Sequence, residues 1–229
     1  MRLLTVVFLS AMVLGFSSMA SAVTILGTGT AALLGSDLTD PQNDGDVEAD
    51  INYEATFAAS EEPTFGGSEG AFNVFENQVG GGNQKFCCGD QNNFPVNPIT
   101  IDATLDVGAI RLSHFTVTSG NDTPARDPLD WEIQGSNDGV NFTSIFSSTS
   151  PTTIWTDRDQ VLRFDAGTDF PVQSTAYSTF RFVAYETGLT TGARFQLGEL
   201  EYFAIPEPSS FILAAIALCG LALRCRIRL

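Results

Sequence analysis

Arg126-Asp127-Pro128-Leu129-Asp130-Trp131-Glu132-Ile133-Gln134-Gly135-Ser136-Asn137-Asp138-Gly139-Val140-Asn141-Phe142 reads as a strand running into a tight turn. Leu129, Trp131 and Ile133 alternate with Asp130, Glu132 and Gln134. A period of two puts the apolar set on one face of a strand and the polar set on the other. Gly135 to Gly139 then gathers Gly, Ser, Asn and Asp, the residues that accept turn conformations. Trp131, on the apolar phase, reads as core.

The same rhythm extends both ways. Ile99, Ile101, Ala103, Leu105 and Val107 alternate with polar or small residues, and so do Ile110 and Leu112. The phase then slips to Phe115 and Val117, which predicts a bulge. Phe142–Phe146, Val161–Phe164, Tyr177–Tyr185 and Phe195–Phe203 continue the series, separated by Gly, Asn, Asp and Pro. Outside the two terminal segments no long window has helical spacing, and no internal repeat is present. Many short strands without helices predict an all-β, antiparallel sandwich or barrel.

Two further stretches accompany the opening one. They are Ala71-Phe72-Asn73-Val74-Phe75-Glu76-Asn77 with Gln84-Lys85-Phe86, and Thr179-Phe180-Arg181-Phe182-Val183 with Gln196-Leu197-Gly198-Glu199-Leu200-Glu201. Together the three resemble the discoidin, or coagulation-factor C-type, family. The 126–142 run resembles its strand ending in G-S-N-D-G before an aromatic. The others resemble its early "A-x-x-x-F-D-(G/N) … T-K-W" and closing "Y-R-L … L-x-E-L-E" pieces. Glu76 stands where the family often has Asp, and Gln84 where Thr is usual.

The resemblance covers residues 71–203. It implies a jelly-roll β-sandwich of the galactose-binding-like type, with sugar-binding loops at one end and a structural calcium near the opposite part. Carried over, it offers Glu76, Asn77 and Glu199 as calcium ligands. Glu199 and Glu201 share a strand phase with Phe195, Leu197 and Phe203. If that phase faces inward, a cation would offset the cost of a buried carboxylate. If Gln196, Leu200 and Tyr202 face inward instead, both acids stand in water. For a saccharide, Arg126 could donate to hydroxyls or pair with an acid. Trp155, among polar residues, suits either a stacking platform or a cover over the sandwich edge. His114, the one histidine of the chain, reads as structural or surface.

Charge narrows the partners. Setting aside Arg2, Arg224, Arg226 and Arg228 leaves 7 basic residues against 27 acidic ones, a net charge near −20. Nucleic acid and anionic membrane surfaces both need Lys and Arg, so the charge argues against either as a partner. Nine acids and no base fall between Asp37 and Glu62. Asn43-Asp44-Gly45-Asp46 looks like part of a calcium loop, but Ile51 stands where an EF-hand starting at Asp40 needs Glu. Gly27 and Gly29 lack the third glycine and the βαβ context of a dinucleotide loop. There is no G-x-S-x-G, no P-loop, and too few histidines for H-E-x-x-H. No pair of carboxylates stands out for glycoside hydrolysis.

Both ends read as addresses. Arg2, the apolar run Leu3–Phe16 and Ala20-Ser21-Ala22 have the order of a secretory signal, 1–22, cut by signal peptidase after Ala22. The end has Pro206-Glu207-Pro208, the uncharged run Phe211–Leu223, and Arg224, Arg226 and Arg228. That order resembles a PEP-CTERM sorting signal over 205–229, with 211–223 as a transmembrane sorting helix. It implies an exosortase-type membrane protease that cuts near Pro206-Glu207-Pro208. Between the two lies one domain, 23–204, of about 180 residues, enough for a core. It holds Cys87 and Cys88 as its only cysteines. Adjacent Cα atoms stand about 3.8 Å apart, against about 4.4–6.8 Å for an ordinary disulfide. Free thiols, pairing with another chain and a vicinal bridge are all open.

The expectation is therefore a non-catalytic protein of the cell surface or exopolysaccharide matrix that binds carbohydrate. The alternative is a passive, calcium-stabilised structural protein of the envelope or biofilm matrix.

Overall fold

The computed structural model describes residues 23–40, 54–63, 69–88, 97–189 and 194–205. The expected signal peptide and sorting helix, with Ala20, Ala22, Pro206, Glu207, Pro208, Arg224, Arg226 and Arg228, lie outside the described residues. Among the described residues no helix is long and apolar enough to cross a membrane.

The strands are β1 (Thr24–Thr28), β2 (Ala55–Ala59), β3 (Phe86–Cys87), β4 (Ile99–Leu105), β5 (Leu112–Thr118), β6 (Pro128–Ser136), β7 (Thr143–Thr149), β8 (Gln160–Asp165), β9 (Thr179–Thr187), β10 (Gln196–Leu197) and β11 (Leu200–Ala204). They form a four-stranded sheet β1-β8-β5-β11, a five-stranded sheet β2-β4-β9-β6-β7 and a small ribbon β10-β3. Every strand pairing is antiparallel. The all-β antiparallel sandwich expected from the alternation is what the chain forms.

The two large sheets meet through aromatic rings. Trp131 of β6 stacks on Phe182 of β9 within its own sheet, at 5.2 Å between centroids. It reaches across to Phe164 of β8 at 5.6 Å, edge-on. Phe180 of β9 meets Tyr202 of β11 at 5.3 Å. Offset and edge-on contacts let each ring's positive edge meet a neighbour's negative face. On β4 the inward set Ile99, Ile101, Ala103 and Leu105 is buried, while Thr100, Asp102 and Thr104 alternate outward. On the outer side Arg181 grips Asp102 through two bonds of 2.7 and 2.8 Å. The same guanidinium lies 3.6 Å from the Phe142 ring centroid. The aromatic that follows the turn thus caps an ion pair outside the core.

The turn itself is built by Asp138. Its carboxylate accepts from the Val140 and Asn141 N–H groups and from the Asn141 amide. These bonds hold its carboxyl well below the usual range. Gly139, at φ +68°, takes the left-handed position that closes the turn.

Several boundaries differ from the sequence reading, and β1, β2 and β3 have no counterpart in it. Strand β4 stops at Leu105, and Val107 is exposed. Ile110 bridges Tyr177 apart from β5. Phe195–Phe203 is two strands, β10 and β11, separated at Gly198 and Glu199. The slip between Leu112 and Phe115 is a bulge: His114 pairs with Phe203 and Leu112 with Ala204, leaving Ser113 over. Trp131 is core, as expected, and His114 stacks flat on Phe203 at 4.3 Å near the surface. Replacing Trp131 by Ala should cost about 3–5 kcal/mol of unfolding free energy, measured by denaturant titration.

Candidate functional site

The break between β10 and β11 is forced by close packing. Gly198 N–H donates to Thr118 O at 2.9 Å, and Thr118 N–H donates to Glu199 O at 2.8 Å. A Cβ at position 198 would stand 2.6 Å from the main-chain oxygen of Ser119. Only glycine lets the chain lie this close to the end of β5. The next residue, Glu199, is thereby carried inside and is fully buried.

One oxygen of Glu199 accepts the Asn77 N–H at 3.2 Å. The other has no hydrogen-bond partner among the described residues, and neither polar atom of the buried Asn77 side chain has one. Asn77 sits at φ +55°, a conformation asparagine tolerates better than most residues. Glu76 is buried beside it, and its carboxylate accepts from Asn73 Nδ2 at 3.0 Å. Burial first, then the negative charge of Glu201, pushes the Glu199 carboxyl well above its ordinary value. The sequence-predicted trio is therefore brought together in part. Asn77 and Glu199 touch, whereas Glu76 lies alongside and turns to Asn73.

These residues fit a hard cation. A buried carboxylate oxygen and a buried amide, all lacking partners, leave a desolvation cost that an oxygen-seeking ion would offset. Among the described residues no group of three or more acidic, His or Cys side chains could cage a metal alone. An ion here would draw on Glu199, the Asn77 amide oxygen and main-chain carbonyls.

The two strand phases left open by the sequence are both buried in β11: Leu200, Glu201 and Tyr202 are all inside. The cause is the segment 33–40, which covers the outer face and edge of β11. Gly35 N–H donates to Glu201 at 2.5 Å, and Thr116 Oγ1 donates to its other oxygen at 2.5 Å. Leu38 N–H donates to Tyr202 O at 2.8 Å. Tyr202 N–H in turn donates to the Asp37 carboxylate at 3.0 Å. Asp37 also accepts from the Thr39 N–H and hydroxyl. Burial outweighs these bonds and raises Asp37 to about 6. Periodicity could not show this, because the covering segment lies 165 residues from Tyr202 in sequence.

A second polar cluster occupies the loop joining β5 to β6. Lys85 Nζ donates to Asn121 Oδ1 at 2.6 Å and lies 3.2 Å from Asp122. Asn121 Nδ2 donates to Gly81 O at 3.0 Å. Arg158 donates to Gly120 O and Asp122 O and forks onto the buried Asp127 at 2.9 and 2.6 Å. These contacts hold the loop from below and leave Asp122, its side chain 50% exposed, at the surface. Arg126 lies 3.7 Å from Asp122. Of its two expected roles, the structure shows pairing with an acid. Trp155 is corrected: it is 2% exposed, and its indole N–H donates to Val117 O at 3.4 Å. It covers the sandwich and offers no ring face to a ligand. Its polar neighbours Thr153 and Thr156 belong to the turn that folds it inward.

No protein-family model matches this sequence, and no curated protein does either. Solved structures share the fold. One is a CBM32 module of a family 31 glycoside hydrolase from Clostridium perfringens, with 16% identity, 66% of this chain, 92% of that chain and TM-score 0.51. Another is a fragment of a Bacteroides thetaiotaomicron protein, with 18% identity, 68% of this chain, 92% of that chain and TM-score 0.51. The F5/8 type C domain of a Bacteroides fragilis protein aligns at 14% identity over 66% of this chain and 93% of that chain, with TM-score 0.46. The fold is an antiparallel β-sandwich like those of CBM32 modules.

The raised Asp37 carboxyl has a defined sign. Its contribution to stability is fully present below 3.8 and is lost as pH rises through about 6. In excess chelator, unfolding free energy should fall across that interval. Asp37→Asn should flatten the fall, read by denaturant titration at several pH values.

Proposed function

We propose that the protein is exported, non-catalytic and binds polysaccharide through the loop cluster around Asp122, at the cell surface or in an exopolysaccharide matrix. The observation that carries this reading is the β5-β6 loop, which bears Asp122 and Arg126 and is tied down by Lys85 and Arg158. The exposed acceptor is the Asp122 carboxylate, flanked by the partly covered Arg126 and steadied from beneath by the buried Lys85. A group held rigid before binding loses little entropy when hydroxyls engage it. The likeness in fold to a carbohydrate-binding module supports it. A structural cation, calcium by the donor chemistry, is held by Asn77 and Glu199 in this reading, with Glu76 adjacent.

Both tryptophans are buried, and this favours a second reading, a passive brick of the envelope or biofilm matrix. Glycan-array binding by the exported protein separates the two. The sugar reading expects retention on at least one matrix polysaccharide, lost in Asp122→Ala. Circular dichroism of the same variant should show the sandwich intact, because Lys85 keeps its bond to Asn121, so that loss of retention reports the sugar contact. Absence of signal on every glycan would leave the passive reading.

Localisation rests on the order of P-E-P, apolar run and arginine cluster in 205–229. The cluster resists export and holds the tail at the cytoplasmic face, and an exosortase-type protease releases the chain. Intact-mass spectrometry of the secreted protein should show an N-terminus at Val23 and loss of the tail near Pro206-Glu207-Pro208. A species still carrying Arg224, Arg226 and Arg228 would mean a permanent anchor.

A further inference from the structure

Cys87 and Cys88 are bonded to each other. Cys88 is held at φ +76°, a left-handed conformation that residues other than glycine seldom adopt. Around the pair, Cys87 N–H donates to Glu69 O at 3.0 Å and Cys88 N–H to Phe195 O at 2.9 Å. Arg126 Nη1 lies 3.8 Å from Cys87 Sγ.

This pair sits at one end of the β3-β10 ribbon, and the Asn77–Glu199 cradle lies beyond the other. The ribbon has two rungs, Cys87 opposite Gln196 and Phe86 opposite Leu197. So short a ladder has little holding power of its own. Yet the same two segments carry the cradle. Asn77 lies on the chain leading into β3, and Glu199 follows β10 after Gly198. A slip of one residue turns every side chain of a strand to its other face. Glu199 is tied to Thr118 on β5, so a slip of β3 along β10 would shift the Asn77 side of the contact and part its N–H from the Glu199 carboxylate.

We propose that the Cys87–Cys88 disulfide is a redox lock on the cation cradle: oxidised, it fixes the ribbon register that brings Asn77 and Glu199 together, and reduced, it releases it. The inference rests on the cation reading above. Opening the lock takes a dithiol reductant. Its two thiols supply two electrons and two protons, the Cys87–Cys88 S–S bond breaks, two cysteine thiols form, and the reductant leaves as its own disulfide. Cys88 is then free to leave its left-handed conformation. Reducing cytosol keeps such a pair open and oxidising surroundings close it, so an exported chain acquires its cation after it leaves the cell.

The test uses the full-length chain in detergent with Cys219→Ser and Cys225→Ser, so that only Cys87 and Cys88 respond. Thiol alkylation and mass spectrometry report their state, and calorimetric titration with calcium reports affinity. The expected result is a dissociation constant that rises about tenfold or more on reduction, the scale of losing an outer support of a metal site, and returns on reoxidation. Equal calcium affinity in both states would overturn the lock while leaving the cation reading intact. No calcium binding in either state would overturn both. Circular dichroism is followed in parallel, and loss of the whole sandwich on reduction would also overturn the proposal, since the disulfide would then be a general staple.

Discussion

Glu199, a buried carboxylate with no ion-pair partner among the described residues, lies at the centre of this structure. Glu199 is inside because Gly198 lets the chain touch the end of β5, and one of its oxygens meets only the Asn77 N–H. Asp37, Glu76 and Glu201 stand near enough to push its carboxyl up. Burying one charge is costly, and gathering several of one sign is more so. Segment 33–40, the Asn73–Asn77 loop and the closing strand all converge on this point, so its electrostatics set how firmly they hold.

The cations answer the acids elsewhere. Arg158 neutralises Asp127, Arg181 neutralises Asp102, and Lys85 with Arg126 flanks Asp122. Three of these four stand around the β5-β6 loop. The molecule therefore has a loop region rigidified by ion pairs, apart from the acidic region around Glu199. The first suits hydroxyl recognition. The second suits a metal ion.

Much of the sandwich was legible in the sequence. Alternation placed Trp131, Ile133, Ile99 and Ile101 correctly, because a half-buried strand must repeat every two residues. The slip at Ser113 announced a bulge. Alternation failed at β11, where both faces are covered and the period disappears. It also left Trp155 open, since the Thr and Asp residues around it belong to a turn and say nothing of where the ring points. The bond between Cys87 and Cys88 was only one of three possibilities, because adjacency alone does not decide how the chain bends at Cys88.

By itself the sequence determined the all-β class, the core face of strands such as β4 and β6, the turn at Asp138 and Gly139, and a strongly acidic composition. These follow from neighbours a few residues apart. Only the tertiary structure decided that Asn77 meets Glu199, that Asp37 closes on Tyr202, that Trp155 is hidden and that Lys85 and Arg126 share Asp122. Each of those joins segments tens of residues or more apart. Their meeting depends on sheet order and close backbone approach, which no local pattern of residues encodes.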